Sequence, residues 1–190
     1  MSSEKRRLRA EMQARRLEVD LETAGRADRA AAGHLAATPE YRRCHCIVAY
    51  AALPGELPVD SVVERARSDD KGVLWPRLAL HGGLDFAPCA RVEDLVAGRY
   101  GVREPPGATP AVTLGPDCLL LVPGLAFDTG GRRLGRGGGA WDRALVEARG
   151  AIAFGVGYEF QIVNAVPREA HDRAVDALLT ERGARRCSGR

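Results

Sequence analysis

The residues with the clearest chemical potential lie in one glycine-rich stretch, 123–142. Glycine lacks a Cβ, so backbone N–H groups can approach a ligand closely and converge on one point. Arginine adds a full positive charge in a planar fork that matches phosphate geometry. The stretch therefore predicts an anion-binding loop. Its glycines and arginines are Gly124, Gly130, Gly131, Arg132, Arg133, Gly135, Arg136, Gly137, Gly138 and Gly139.

Two further segments border this loop. The apolar run 118–122 is typical of a buried strand, and residues 142–148 have the composition of a helix. A helix that begins at the end of the loop adds the positive end of its dipole to the anion site. A flexible connector is the alternative interpretation of so many glycines.

The loop contains no complete nucleotide-binding fingerprint. A Walker A loop needs Gly-Lys-Ser or Gly-Lys-Thr after its glycines, and neither follows here. Residues 135–140 match the pattern G-x-G-x-x-[G/A], but a dinucleotide fold needs its strand to run directly into the first glycine. Here the apolar run ends well upstream, at Val122. The hypothesis of a nicotinamide-dependent enzyme therefore rests on this pattern match alone.

Basic candidates lie near the start of the chain. Residues 3–17 are rich in good helix formers and place Lys5, Arg9 and Arg16 on one helical face. We interpret Lys5 and Arg9 as cations directed at the phosphates of a nucleotide. A solvated basic face, or a nucleic-acid-binding patch, is the alternative.

An acidic candidate, Glu56, follows the apolar run 46–52. That run predicts a strand buried on both faces, and the turn after it places Glu56 beyond the carboxyl end of the strand. Ligands bind at this edge in open α/β sheets. An ordinary exposed turn residue is the alternative for Glu56.

The length, charge and cysteine content are those of an ordinary globular protein. Its 190 residues are enough for one domain, 1–190, with a sizeable core. The net charge is only +3, from 28 basic and 25 acidic residues, which argues against a nucleic-acid partner. Five cysteines without a C-x-x-C pair, and no long apolar segment or secretory signal, predict a cytoplasmic protein without a membrane partner. Cys44 and Cys46 flank a histidine, but no second ligand pair supports a metal site.

Strands alternate with helices along the chain, which predicts one α/β domain with a largely parallel sheet. The further predicted elements are a helix capped by Asp20, a helix at 59–68, strands at 73–75, 84–86, 151–156 and 175–180, and a turn at His81. Residues 98–116 are predicted to form a loop, and the polar tail from Glu181 to be frayed. The second helix is predicted to bury one stripe, namely Leu21, Ala24, Ala27, Ala31 and Leu35.

Taken together, these segments resemble one known family, the 5-formyltetrahydrofolate cyclo-ligases, also called methenyltetrahydrofolate synthetases. The resemblance covers nearly the whole chain. The similar segments are the basic run 5–9, the turn 53–56, residues 101–105 (resembling Gly-Ile-x-Glu-Pro), 122–128 with 133–139 and Asp142, 158–161, and Pro167 with His171 and Asp172.

The resemblance implies a fold and a reaction. The fold is a three-layer α/β/α arrangement related to the ribose-phosphate isomerase and CoA-transferase group. The reaction needs Mg²⁺ and ATP: the formyl oxygen of 5-formyltetrahydrofolate is phosphorylated, N10 attacks the activated carbon, and phosphate leaves to give 5,10-methenyltetrahydrofolate. Such an enzyme must align the γ-phosphate with the formyl oxygen and neutralise its charge. We expect a monomer that binds these small molecules.

Carried over by position, the resemblance assigns roles to residues of this chain. ATP binding is assigned to Lys5, Arg9, Arg133, Leu134, Gly135, Arg136, Gly137, Gly138, Gly139, Ala140 and Trp141. Folate binding is assigned to Leu53, Glu56 and Trp141. Asp142 and Asp172 would hold Mg²⁺, a hard ion that prefers carboxylate oxygens and waters. Arg136 and Asp142 would be catalytic, whereas an acid that only stabilises the helix N-terminus is the alternative for Asp142.

One departure from the family pattern concerns Ala140 and Trp141, where the family often has two tyrosines. Ala140 lacks the first hydroxyl, while Trp141 keeps a flat apolar face on which a ligand can stack. The alternative function is an ATP-binding relative that acts on a different substrate or lacks cyclo-ligase activity.

Overall fold

The computed structural model describes residues 3–80, 82–89, 91–148, 150–169 and 172–189, with the side chain of Tyr100 left out. His81 and His171, named above at a turn and beside Asp172, lie outside the described residues. Within these ranges the α-helices are α1 (Ser3–Leu17), α2 (Leu21–Ala36), α3 (Pro39–Arg43), α4 (Asp60–Ser68) and α5 (Ala140–Glu147). Short 3-10 helices cover Val92–Asp94, Arg99–Gly101 and Glu159–Gln161.

The strands fall into one large sheet and two small ones. In chain order they are β1 (Cys46–Val48), β2 (Gly72–Leu78), β3 (Leu84–Pro88), β4 (Val96–Ala97), β5 (Arg103–Glu104), β6 (Cys118–Pro123), β7 (Ala126–Asp128), β8 (Arg133–Leu134), β9 (Ile152–Val156), β10 (Ile162–Val163), β11 (Ala177–Thr180) and β12 (Gly183–Arg186). Across the described part of the chain, seven strands form the main sheet in the order β12-β11-β9-β6-β1-β2-β3. The inner strands are parallel, and β12 and β3 pair antiparallel at the edges.

The main sheet is covered on both faces. Successive side chains of a strand point to opposite faces, so Leu119 and Leu121 of β6 pack in the cluster formed with α2, α3 and α4. Leu120 and Val122 pack in the second cluster, which contains side chains of α5 and β7. This arrangement confirms the predicted three-layer α/β/α fold with a largely parallel sheet.

Most of the predicted elements form close to their expected bounds. Asp20 caps α2 as predicted, since its side chain accepts a hydrogen bond of 2.7 Å from the backbone N–H of Thr23. The run 46–52 yields a shorter strand, β1, although Ala49 and Tyr50 beyond it remain buried. None of the described helices is long and apolar enough to cross a membrane.

Three predictions about local structure are wrong. Leu21 was predicted to belong to the buried stripe of α2 but is 93% exposed. The stripe is formed by Ala27, Ala31 and Leu35. The tail from Glu181 is not frayed: it forms β12, an edge strand that pairs with β11 through its backbone. Residues 98–116 are not one loop, because β5 pairs there with β4.

A glycine in β9 controls the packing of the second face. A Cβ at Gly155 would lie 2.6 Å from Cε1 of Phe127 and 3.0 Å from Cγ2 of Val175. Gly155→Ala is therefore expected to lower the free energy of unfolding by about 1–3 kcal/mol through overpacking. Urea unfolding measures this loss. The control is Gly33→Ala in α2, where a Cβ meets nothing within 4 Å and where better helix propensity is expected to stabilise the fold; equal effects of the two changes would contradict the packing argument.

The parallel strands determine where a ligand can bind. The segment after β1 leads to Glu56, and the segment after β6 leads to the glycine-rich loop. Because β1 and β6 are adjacent and parallel, both segments leave the sheet at the same edge. The candidate residues from these two parts of the sequence are thereby brought together.

Candidate active site

A cleft of about 770 Å³ lies at this edge of the sheet. Its wall includes α1, the turn 53–56, the glycine-rich loop with the start of α5, and the segment around Asp172. Every residue assigned a role from the sequence lines it, namely Lys5, Arg9, Leu53, Glu56, Arg133, Leu134, Gly135, Arg136, Gly137, Gly138, Gly139, Ala140, Trp141, Asp142 and Asp172. Residues from opposite ends of the chain thus share one cavity.

The glycine-rich loop is held in place by a small antiparallel ladder. Leu125 N–H donates to Leu134 O at 2.7 Å, where β7 and β8 pair. Beyond β8, Gly137 and Gly139 have φ of 108° and 66°, a left-handed conformation that favours glycine. A Cβ at Gly138 would meet nothing within 4 Å, so the loop is open there. The result is a hydrogen-bonded frame, β7 with β8, next to a short open segment.

Helix α5 begins at the end of this loop and carries an acid in its first turn. Asp142 Oδ1 lies 3.0 Å from Nη2 of Arg133 and accepts a hydrogen bond of 3.1 Å from the backbone N–H of Arg173. The Arg133 side chain is buried, so this ion pair is shielded from water. Asp142 therefore has partners other than the helix dipole.

Two cations of α1 reach the same cleft. Lys5 is only 5% exposed, and its Nζ lies 2.8 Å from Oδ2 of Asp172 and 3.3 Å from Oε1 of Glu169. Arg9 donates from Nε to Gly135 O at 2.9 Å, which ties the helix to the glycine-rich loop. The interpretation of this helical face as solvated is wrong for Lys5.

The Glu56 carboxylate lies between two arginines. Its Oε2 accepts a hydrogen bond of 3.0 Å from the backbone N–H of Leu53, which closes the turn. Its Oε1 lies 3.4 Å from Nη2 of Arg16 and 3.8 Å from Nη2 of Arg136. The side chain is 9% exposed. The interpretation of Glu56 as an exposed turn residue is therefore wrong.

Two tyrosines beside this turn are neutral at physiological pH. Tyr50 donates its hydroxyl to Leu57 O at 2.6 Å, and the Tyr158 hydroxyl lies 3.4 Å from Glu56 O. Burial raises the pKa of Tyr50 well above its ordinary value and the pKa of Tyr158 to about 12. Both phenols therefore act as hydrogen-bond donors and not as bases.

Trp141 connects the cleft to the core. Its ring centroid lies 6.3 Å from that of Phe86, with the planes at 51°. The indole also packs against both apolar clusters. This support fixes a flat apolar surface on the cleft wall, next to Ala140.

The residues present suit a nucleotide and its metal ion. Lys5, Arg9 and the arginines of the loop supply positive charge for phosphates, and open glycines allow their close approach. Among the described residues, no group of three or more His, Cys, Asp and Glu side chains forms a closed metal cage. Mg²⁺ bound to phosphates needs only one or two carboxylates, and Asp142 and Asp172 line the same cleft.

The sequence analysis assigned no role to several residues of the cleft wall. Arg16, Tyr50, Glu104 and Glu169 line it. A signal existed for Arg16, which follows Arg9 by two helical turns and so shares its face. No local pattern identifies Glu169, whose place at the site depends on contacts with Lys5 and Asp172.

The comparison with known proteins agrees with this geometry. A family model described as the 5-formyltetrahydrofolate cyclo-ligase family matches residues 1–181. The chain belongs to this family. The members of the cyclo-ligase family are ligases, so the protein is an enzyme of that class.

Named relatives of the cyclo-ligase family show how far the likeness extends. The 5-formyltetrahydrofolate cyclo-ligase of Mycolicibacterium smegmatis is 38% identical over 127 residues, which are 66% of this chain and 61% of that protein. That of Escherichia coli (strain K12) is 30% identical over 157 residues, 79% of this chain and 85% of the relative. The solution structure of Aquifex aeolicus 5,10-methenyltetrahydrofolate synthetase has a TM-score of 0.83 and 28% identity, covering 97% of this chain and 93% of its own.

Proposed function

We propose that the protein converts 5-formyltetrahydrofolate to 5,10-methenyltetrahydrofolate, using ATP and Mg²⁺ and releasing ADP and phosphate. One observation supports this most directly: a single cleft gathers the α1 cations, the glycine-rich loop and the Glu56 turn. A triphosphate needs positive charge, whereas a folate head group needs a flat apolar wall and a hydrogen-bond acceptor. The cleft offers both, side by side.

The phosphate end of the cleft is cationic. In the proposed complex, the Lys5 ammonium and the Arg9 guanidinium bind phosphate oxygens, and the N–H groups of Gly137, Gly138 and Gly139 converge on them. Arg136 lies on the same loop, with a half-exposed side chain, and neutralises charge as it develops on the transferred phosphoryl group. Phosphate binding would exchange the contacts of the Lys5 ammonium with Asp172 and Glu169 for contacts with phosphate oxygens.

Two carboxylates at this end are assigned to the metal ion. Asp142 and Asp172 would hold Mg²⁺, and the buried Arg133 orients Asp142 through the ion pair of 3.0 Å. When bound, Mg²⁺ neutralises phosphate charge and orients the γ-phosphoryl group.

The folate end is assigned to the Glu56 turn and its surroundings. The Glu56 carboxylate accepts hydrogen bonds from the N–H groups of the folate head, while Leu53 and Trp141 provide apolar walls. Holding the head group there aligns the formyl oxygen with the γ-phosphate. The formyl oxygen then takes the phosphoryl group as ADP leaves, N10 attacks the activated carbon, and the C–O bond breaks with loss of phosphate.

The proposal takes the whole chain, 1–190, as one catalytic domain that acts as a monomer in the cytoplasm, without a nucleic-acid or membrane partner. The pairing of Lys5 with Asp172 supports the single domain, because both ends of the chain contribute to one cleft. The described cysteines carry free thiols, as a reducing compartment favours.

The test is a direct assay. Purified protein is mixed with 5-formyltetrahydrofolate, MgCl₂ and ATP at slightly acidic pH, and the near-ultraviolet absorbance of the methenyl product is followed. We expect a rise that requires both ATP and Mg²⁺. Binding of ATP without any rise would contradict the proposal and favour a relative that acts on another amide, as the loss of a hydroxyl at Ala140 allows.

A substitution in α1 tests the phosphate end alone. Arg9→Ala removes a cation held over the glycine-rich loop, so we expect the KM for ATP to rise about tenfold while the KM for the folate stays the same. The matched control is Arg6→Ala, which removes an exposed arginine from the same helix. Equal effects of both changes would indicate a general charge effect instead of a phosphate contact.

A further inference from the structure

The last turn of α1 contains a buried arginine next to the folate end of the cleft. Arg16 is 2% exposed. Its Nε donates to Gly55 O at 2.8 Å, and its Nη2 lies 3.4 Å from Oε1 of Glu56. A single guanidinium thus contacts both the backbone and the carboxylate of the turn 53–56.

The helix and the turn are also in close backbone contact. Gly55 has φ of 76°, and a Cβ there would lie 2.9 Å from the carbonyl oxygen of Arg16. No side chain fits at this position, so the end of α1 and the turn form one packed unit. A movement of the Arg16 backbone would therefore displace Glu56.

The burial of Arg16 is not explained by stability. Its Nη1 is buried without a hydrogen-bond partner among the described residues. An unsatisfied buried donor of this kind destabilises a folded protein. Burial lowers the pKa of the Arg16 guanidinium, and the Glu56 carboxylate acts against that shift. An apolar side chain would cost less here, and local violations of this kind are expected at functional sites.

Arg136, the second arginine beside Glu56, cannot hold the Glu56 carboxylate while it binds phosphate. The Arg136 side chain is 52% exposed, lies 3.8 Å from Glu56 Oε1, and belongs to the glycine-rich loop that is assigned to phosphate. Once a phosphate engages Arg136, Arg16 is the described cation that continues to balance the charge of Glu56.

We infer that Arg16 is a positioning residue for the folate: it holds the Glu56 carboxylate in its orientation and remains its countercharge while Arg136 engages the phosphate. This inference rests on the proposed function. Arg16 acts through Glu56 and does not touch the reacting atoms. Its loss is therefore expected to weaken folate binding and to leave ATP binding unchanged.

The test measures binding directly, so that it does not depend on turnover. Titration calorimetry of the full chain gives the Kd of 5-formyltetrahydrofolate and, separately, of Mg-ATP for wild type, Arg16→Gln, Arg16→Lys, Glu56→Gln and the double variant Arg16→Gln/Glu56→Gln. We expect Arg16→Gln to raise the folate Kd about 10- to 30-fold with an unchanged ATP Kd. Arg16→Lys keeps the charge but cannot contact Gly55 O and the Glu56 carboxylate at the same time, so a smaller rise of the folate Kd is expected. The double variant should bind no more weakly than Glu56→Gln.

Each outcome has a defined meaning. A folded Arg16→Gln or Arg16→Lys protein with the wild-type folate Kd overturns the inference, as do additive losses in the double variant. If Arg16→Gln does not fold, the Arg16→Lys result decides. If the wild-type protein binds no folate, the proposed function fails and the inference with it, whereas wild-type binding with unaffected Arg16 variants defeats the inference alone. Arg7→Gln, on the exposed face of α1, controls for net charge.

Discussion

Replacement of Asp142 by asparagine is expected to lower kcat by about two orders of magnitude and to raise the Mg²⁺ concentration needed for half-maximal activity. Asparagine keeps an oxygen that can accept from Arg133 and from the N–H of Arg173, so the fold should survive, although the buried Arg133 loses its countercharge and Tm should fall by a few degrees. It loses the negative charge that a hard divalent ion requires. Mg²⁺ titrations of initial rate, alongside thermal melts, measure both effects.

The control for this prediction is another acid in the first turn of a helix. Asp60 occupies the start of α4, so Asp60→Asn removes the same favourable interaction with a helix dipole, about 0.3–1 kcal/mol, away from the cleft. Asp172→Asn is expected to behave like Asp142→Asn. If Asp142→Asn and Asp172→Asn keep the wild-type Mg²⁺ dependence, the pair does not hold the metal.

Replacement of Glu56 by glutamine is expected to raise the KM for 5-formyltetrahydrofolate about 10- to 100-fold and to leave the KM for ATP nearly unchanged. The carboxylate lies between Arg16 and Arg136 and is largely shielded from water. Glutamine retains one acceptor oxygen but replaces the other with a donor that faces a guanidinium. The change also removes the charge that compensates the buried Arg16, so Tm should fall by a few degrees.

Steady-state kinetics with each substrate varied in turn measure this effect. The control is Glu22→Gln, because Glu22 pairs with Arg26 on the exposed surface of α2 and such pairs contribute little. A lower kcat with unchanged KM values would instead place Glu56 in the chemical step, and an unaffected enzyme would remove it from the site.

Much of the fold was predictable because its signals are local. The runs 118–122 and 151–156 are apolar throughout, as strands covered on both faces must be, and they form β6 and β9. The edge strand β12 was not predictable in this way. Its sequence, Gly183–Arg186, has no apolar pattern, and its pairing with β11 relies on backbone hydrogen bonds that any sequence can make.

In the candidate site, too, features with a local sequence signal were predicted and features that depend on distant contacts were not. The glycine-rich loop was identified from composition, because its glycines and arginines all lie within one short window of the sequence. The surroundings of Glu56 depend on the packing of α1 against a distant turn, in which Gly55 follows Arg16 by 39 positions. No window of sequence contains such a contact. Leu21 was misplaced for a related reason, since the packing of α2 against α4, β11 and β12 decides which part of its stripe is covered.

The ion pair between Lys5 and Asp172 has a consequence for folding. The two residues are separated by 167 positions, so this side of the cleft closes through a contact of very high sequence separation. Such contacts carry a large loop-closure entropy and form late. During synthesis, β1, β2, β3, β6 and β9 are all complete before residue 172 leaves the ribosome. The nascent chain can therefore build most of its sheet before it has a complete site, and the complete site forms only after residue 172 has been made.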